Sequence, residues 1–187
     1  MTKIQILNRE TCYESKAFDV EKVNFEMPNG KKPTYDLVVH PGAAVVLPID
    51  AEGNILFVKQ WRLGAEADLL ELPAGTLEAG EPPVECAKRE IREEIGLAAA
   101  TMKLIGEFYL TPGYSNEYLY IFLAQGLSPA PLEQDDDELI EVIKVPVEQA
   151  YQMAASGQIR DGKTLASLFL ATVGMYEDDE DETQEAE

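Results

Sequence analysis

Histidine and cysteine are scarce in this sequence, which has one histidine, two cysteines and one tryptophan among 187 residues. The single histidine, His40, cannot build a multi-histidine zinc site, and we expect it to be structural. Cys12 and Cys86 lie far apart without metal-type spacing, so we expect two free thiols in a reducing compartment. Because the chain opens without the apolar run of a secretory signal, the sequence indicates a cytoplasmic protein.

Long apolar runs and basic residues are also few. No stretch approaches the roughly 18 consecutive apolar residues of a transmembrane helix, so we expect no membrane partner. Lys and Arg number 15 against 35 Asp and Glu, which gives a formal net charge of -20. That balance excludes a role dominated by neutralising nucleic-acid phosphates, but it leaves room for a specific site for one small anion.

The length and the 45% hydrophobic content indicate one domain with a small appendage. Three runs rich in β-branched or aromatic residues precede residue 42, and an Asn29-Gly30 turn separates two of them. The last twelve residues are strongly acidic and have almost nothing to bury. We therefore predict a hairpin-rich β appendage at 1–41, a main domain at 42–175 and a disordered acidic tail at 176–187.

Strands alternate with helices in the predicted main domain. The predicted strands are 43–49, 55–58, 102–110, 118–124 and 139–145, and the first of them is apolar throughout, as in a strand buried on both faces. The predicted helices are 83–95, which begins at the Pro82-Pro83 pair and stops at Gly96, then roughly 147–156 and 163–174. This order predicts an α/β fold with a mixed sheet.

The first predicted helix carries two carboxylates, Glu90 and Glu94, about 40° apart around its axis. They stand at the margin of an apolar stripe. The stripe consists of Val84, Ala87, Ile91 and Ile95. Like charges at this spacing repel, and such oxygen-rich sites suit a hard divalent cation such as Mg²⁺. The alternative is a solvent-exposed helix with structural Arg–Glu pairs, for example Arg89 with Glu93.

The complete string around this pair is more specific than the pair itself. From Gly75 to Leu97 it reads Gly, five residues, Glu, seven residues, Arg-Glu, an apolar residue, any residue, Glu-Glu, any residue, Gly and an apolar residue. The chain thereby resembles the Nudix hydrolases over roughly 42–172, which implies the Nudix fold, a mixed β-sheet sandwiched between helices. At Gly75 and Gly96 we expect the backbone to turn tightly into and out of the helix.

The resemblance implies a metal-dependent hydrolase of nucleoside diphosphates linked to another group. It implies that Glu90, Glu94 and the backbone carbonyl of Ala74 bind Mg²⁺, with Mn²⁺ as an alternative, and that Glu93 is a ligand or helps to activate water. Cations would neutralise the diphosphate oxygens and lower the pKa of the attacking water. The implied supporting residues are Glu81 and Arg89.

The flanks resemble the branch of the family that acts on ADP-ribose and other nucleoside diphosphate sugars. The stretches that carry this likeness are 60–62, 71–75 and 110–117, with Pro112 sixteen residues beyond Gly96. The resemblance implies that Arg62 binds the diphosphate, that Glu117 accepts from sugar hydroxyls and that Glu71 meets the base or the sugar. The structural alternatives are a surface arginine at residue 62 and a plain turn at 112–113.

The acidic run 133–138 stands where this branch carries a loop with a catalytic carboxylate. Glu138 is the first choice because it adjoins the following strand, and Asp136 is the second. Most of the run fits a solvated loop equally well.

The resulting expectation is Mg²⁺-dependent hydrolysis of ADP-ribose, or of a related small-molecule nucleotide sugar, to a nucleoside monophosphate and a sugar phosphate. The alternatives are a Nudix hydrolase for GDP-mannose, UDP-glucose or ADP-glucose, and a non-catalytic module that senses nucleotide sugars. The β appendage resembles the one by which this branch dimerises, and an isolated hairpin is marginally stable, so we expect a homodimer.

Overall fold

The structure, a computed structural model, describes residues 3–133 and 139–172. The predicted tail at 176–187 and the two candidate bases, Glu138 and Asp136, lie outside these residues. The chain divides into two compact units. One comprises the residues up to Gly42 together with Tyr109–Tyr118, and the other comprises Ala43–Phe108 and the residues from Leu119 onwards.

The first unit contains an antiparallel sheet in the order β1-β2-β3, formed by β1 (Gln5–Tyr13), β2 (Asp19–Glu26) and β3 (Thr34–Val39). The Asn29-Gly30 turn lies between β2 and β3, with Gly30 at φ 79°. Residues 109–118 join this sheet, since the Val38 N–H donates to the Tyr114 carbonyl at 2.8 Å. The boundary predicted at residue 41 stays a prediction. Nothing in the sequence indicated that 109–118 belong with this unit.

The second unit contains seven strands and three helical segments within the described ranges. In chain order they are β4 (Ala43–Pro48), β5 (Asn54–Arg62), β6 (Ala67–Glu71), β7 (Ala74–Thr76), α1 (Pro83–Glu94), β8 (Leu97–Tyr109), β9 (Tyr118–Pro129), β10 (Ile140–Pro146), α2 (Val147–Ala155) and helical residues 162–172. None of these helices is long and apolar enough to cross a membrane.

The strands of this unit form two sheets, in the orders β10-β5-β6 and β7-β4-β9-β8. The second sheet is mixed, because β4 runs parallel to β9 and antiparallel to β7. The predicted α/β fold with a mixed sheet is therefore confirmed, with its strands divided over two sheets. The sequence prediction missed β6 and β7, which are short and lack the alternating apolar pattern of a half-buried strand.

Helix α1 packs against β4 and β7, and this packing fixes the position of the side chains on the inner face of the helix. Ala87 and Ile91 of its predicted apolar stripe are fully buried, in one cluster with Val46 of β4 and Phe122 of β9. Every residue of β4 is buried, as its uninterrupted apolar sequence predicted.

The ends of α1 also agree with the sequence. The helix starts at Pro83, where a missing N–H costs nothing. It ends at Glu94, and Gly96 follows with φ 72°, the left-handed conformation that a glycine adopts after a helix. The predicted turn out of the helix at Gly96 is thus confirmed.

Candidate active site

The two carboxylates predicted from helical spacing lie on the inner face of α1, where the helix contacts β7. Glu90 is 8% exposed and Glu94 is 3% exposed. Carboxylates are rarely buried this deeply unless charged or hydrogen-bonding groups hold them. The solvent-exposed helix considered as an alternative is therefore wrong for these two residues.

Gly75 of β7 lies directly beneath the Glu90 carboxylate. A Cβ atom at this position would overlap the carboxyl carbon and both oxygens of Glu90. Gly75 sits inside a strand and does not have a positive φ, so the predicted tight turn at this residue is wrong. The glycine serves instead to let a buried carboxylate approach the backbone closely.

Ala74 holds the other carboxylate. Its backbone N–H donates to Glu94 Oε2 at 3.0 Å. The carbonyl of the same residue is the one that the family resemblance implies as a metal ligand, and that role stays a prediction. In strand β7, Ala74 thus contacts Glu94 and the next residue, Gly75, lies against Glu90.

Arg89 binds the remaining acids of the site. Its Nη1 donates to Glu90 Oε1 at 2.5 Å and to Glu93 Oε2 at 2.9 Å, which confirms the predicted pair with Glu93. Its Nε and Nη2 donate to the two oxygens of Glu81, each at 3.1 Å. The hydrogen bond to Glu81 is the main cause that raises the pKa of Arg89, and the same bond lowers the pKa of Glu81.

This cluster remains negative after Arg89 is counted. Glu81, Glu90, Glu93 and Glu94 with every carboxyl ionised contribute -4, and Arg89 contributes +1, so the five side chains sum to -3. A negative, oxygen-only donor set fits a hard divalent cation.

Within the part of the chain that the structure describes, side chains alone do not complete a metal site. Across 3–133 and 139–172, no three His, Cys, Asp or Glu side chains are gathered closely enough to hold a metal ion. Mg²⁺ in proteins is commonly bound by one or two carboxylates, with water and substrate phosphates filling its other positions. Two buried glutamates beside a strand backbone fit that requirement.

A second charged cluster lies where β6 leads into β7. Arg62 Nε and Nη2 donate to Glu71 Oε1 and Oε2 at 2.9 and 2.8 Å, and Lys163 also binds Glu71 Oε2. Burial alone would raise the pKa of Glu71, but the hydrogen bonds and charges of Arg62 and Lys163 outweigh it and hold that pKa below its ordinary value. The pKa of Arg62 is raised, first by Glu71 and also by the more distant charge of Glu94.

The structure therefore brings together Ala74, Glu90, Glu93 and Glu94, and it joins Arg62 to Glu71 nearby. Glu117 lies in the other compact unit, directly before β9, and its assignment as a sugar ligand stays a prediction.

The sequence did not predict that the far end of the domain binds the Arg62–Glu71 pair. Lys163 binds Glu71 and also Asp161 Oδ2, the latter at 3.0 Å. The Asp161 carboxylate accepts from the backbone N–H of Thr164 at 2.9 Å, so Asp161 is the N-cap of helical residues 162–172. An Asp before a predicted helix is a recognisable cap, but the contact of Lys163 with Glu71, 92 residues earlier, has no local signal.

Comparisons with known proteins identify the family of this chain. Residues 39–168 match the family model described as NUDIX domain. The chain is 40% identical over 162 residues to the ADP-ribose pyrophosphatase of Bacillus subtilis (strain 168). This match covers 86% of this chain and 88% of that protein. It is 32% identical over 164 residues to the methanol dehydrogenase activator of Bacillus methanolicus, a match that covers 87% of this chain and 89% of that protein.

A solved structure described as a crystal structure of ADP compounds hydrolase superimposes with a TM-score of 0.83 at 25% sequence identity, over 95% of this chain and 97% of that chain. The chain belongs to the Nudix family. The predicted Nudix fold is confirmed, and the use of divalent metals, which is general among Nudix hydrolases, agrees with the oxygen donors found on α1.

Proposed function

We propose that this protein is a pyrophosphohydrolase that cuts the diphosphate of ADP-ribose or of a related nucleoside diphosphate sugar. The products are a nucleoside monophosphate and a sugar phosphate. The observation that carries the proposal is the buried pair Glu90 and Glu94, held against β7 by Arg89 and Ala74. The choice of substrate is supported by the names of the Bacillus subtilis relative and of the superimposed structure.

Glu90, Glu94 and the carbonyl of Ala74 would hold Mg²⁺, or Mn²⁺ in its place. The metal would neutralise phosphate oxygens and lower the pKa of the attacking water. Arg89 fixes the orientation of Glu93, so that this carboxylate can accept a hydrogen bond from water in one geometry. The general base would be Glu138, with Asp136 as the second choice.

Arg62 would bind the diphosphate. Its side chain is 41% exposed although its Nε and Nη2 bind Glu71, which leaves an arginine side chain at the surface for an anion to approach. Glu117 would accept from sugar hydroxyls. Glu71 is fully buried under Arg62 and Lys163, so a contact with the base or the sugar requires these ion pairs to open.

The protein would act as a homodimer in the cytoplasm. All nine residues of β1 are exposed, and β1 is an edge strand of its sheet. Ile4, Ile6 and Leu7 are each about half exposed, and an apolar edge strand of this kind favours association with another chain. Two free thiols, Cys12 and Cys86, agree with a reducing compartment. Light scattering of the active enzyme at micromolar concentration should give twice the mass of one chain, and a monomer mass would refute the dimer.

The test of the activity is an assay of monophosphate release from ADP-ribose, ADP-glucose, UDP-glucose and GDP-mannose, with Mg²⁺ and with a chelator. We expect release from ADP-ribose that the chelator abolishes. Glu94→Gln keeps the size of the side chain and removes its charge, so activity should fall by at least about 10²-fold. Glu85→Gln is the matched control, because Glu85 lies on the same helix and its ion pair among the described residues is with the exposed Lys88.

Wild-type turnover by Glu94→Gln at saturating Mg²⁺ would refute the role of the carboxylate pair. A nucleotide-sugar-sensing module would bind members of the panel and release no product from any of them. That result would favour the non-catalytic alternative.

A further inference from the structure

The segment 72–74, which leads into the active-site strand β7, is anchored at each of its three residues. Its first N–H donates to Thr164 Oγ1 at 2.9 Å. The carbonyl of its proline accepts from the Val46 N–H at 2.8 Å, and its last N–H donates to Glu94 Oε2 at 3.0 Å. A displacement at the Thr164 end would therefore be transmitted over two residues to the backbone that binds Glu94.

The hydroxyl of Thr164 has a fixed direction. It carries one proton, which it donates to Asp161 Oδ2 at 2.7 Å, because an ionised carboxylate can only accept. A lone pair of the same oxygen is then left for the Leu72 N–H. Asp161 thus determines that Thr164 acts as an acceptor towards the active-site segment.

Bulk solvent does not reach this acceptor. Leu72 and Thr164 are both fully buried. A buried N–H without a partner is strongly unfavourable, so loss of the hydroxyl would force Leu72 to move towards another acceptor or towards solvent.

Apart from Arg62, the charged groups around this anchor favour a positioning role for Thr164 over substrate binding. Arg62 and Lys163 supply two positive charges, and Glu71 and Asp161 supply two negative ones. The cluster is neutral and internally paired, and Lys163 has only 14% of its side chain exposed. It has no surplus charge for a diphosphate beyond the exposed part of Arg62.

We propose that Thr164, oriented by Asp161, is a positioning residue that holds the 72–74 backbone where Ala74 can bind Glu94 and present its carbonyl to a divalent cation. The inference rests on the proposed function, since it assigns Thr164 to the support of that metal site.

The test measures binding of Mn²⁺ alone, without substrate, by the electron paramagnetic resonance signal of the free ion. Thr164→Val keeps the shape of the side chain and removes the hydroxyl, so Mn²⁺ should bind about 10-fold more weakly, at the low end of the effect of outer-shell partners. Thr164→Ser restores the hydroxyl and should bind as the wild type does. Thr172→Val is the matched control, because within the described part of the chain the Thr172 hydroxyl bonds to the Leu168 carbonyl of its own helix.

A purely structural role predicts a different pattern. In that case Thr164→Val and Thr172→Val would both lower the melting temperature and leave Mn²⁺ affinity unchanged, and the inference would be overturned. Failure of Thr164→Ser to restore binding would overturn it as well. If Thr164→Val does not fold, Asp161→Asn replaces it, because asparagine still caps the helix but accepts from the hydroxyl more weakly, and about 3-fold weaker binding is expected. Unchanged affinity in Asp161→Asn would refute the inference.

The inference and the proposed function fail in distinguishable ways. A wild-type protein that does not bind Mn²⁺ would overturn both. Binding by the wild type that Glu94→Gln abolishes, but that Thr164→Val leaves intact, would overturn only the role of Thr164.

Discussion

The contact between Gly75 and Glu90 can be tested by adding one methyl group. In Gly75→Ala the new Cβ would occupy the place of the Glu90 carboxylate. The strand cannot easily retreat, because Gly75 pairs with Ala44 of the fully buried β4. Glu90 itself is buried and bound to Arg89, so its carboxylate would have to leave this contact and rotate away from β7.

Two magnitudes follow from this overlap. Displacing Glu90 removes one preorganised electrostatic group, and such losses lower kcat by about 10²- to 10³-fold. Overpacking a well-packed site costs about 1–3 kcal/mol, which for a protein of this length lowers the melting temperature by roughly 2–12 °C. The variant should therefore fold at room temperature and be nearly inactive.

The assay compares kcat for monophosphate release and the melting temperature in Gly75→Ala and in Gly64→Ala. Gly64 is the matched control, since a Cβ there would meet nothing within 4 Å and its φ is not positive. If Gly75→Ala kept kcat within about 3-fold of the wild type, the reasoning would be refuted, because Glu90 would then work equally well away from the place the structure gives it.

Three further predictions concern the thiols, acid stability and the general base. Burial and two nearby carboxylates raise the pKa of Cys86 to about 12, so Ellman's reagent near pH 8 should label only the exposed Cys12 in the native protein and both thiols after unfolding. Burial would raise the pKa of Glu71, but Arg62 and Lys163 lower it below the value of the unfolded chain, about 4.3. The stability that the ionised Glu71 contributes is therefore complete above that unfolded pKa and is lost as the pH falls through the lower folded pKa. In calorimetry, Glu71→Gln should remove this contribution from the fall of melting temperature at acid pH. Glu138→Gln should lower kcat by roughly 10²- to 10⁴-fold with little change in KM, and a larger loss in Asp136→Asn would move the base to that residue.

The parts of the site that residue spacing alone predicted lie on one helix, whereas Ala74, Arg62 and Glu71 were implied only by the family resemblance. Helical periodicity relates Glu90 to Glu94 and Arg89 to Glu93, because both pairs are separated by a single turn. The same periodicity identified Ala87 and Ile91 as the buried stripe that sets which way the carboxylates face. Local spacing was sufficient here, since the helix is a regular element whose ends a proline pair and a glycine mark.

The parts that the sequence did not predict depend on pairing between distant residues. Strand β7 has three residues and exists because its backbone pairs with β4, so its own sequence shows no strand pattern. Gly75 was assigned to a turn because nothing in the sequence shows that a carboxylate fifteen residues later occupies the space beside its Cα. The contact of Lys163 with Glu71 likewise joins residues 92 positions apart.

The two central carboxylates are held by separate parts of the chain. Glu90 is bound by Arg89, a neighbour on its own helix, and Glu94 is bound by the N–H of Ala74, which belongs to the strand. These two donors therefore offset part of the repulsion expected between two acids one helical turn apart. The helix accounts for only the first of these donors. The second donor, the Ala74 N–H, depends on the backbone of 72–74. Because the family string begins at Gly75, the site also requires residues outside that string.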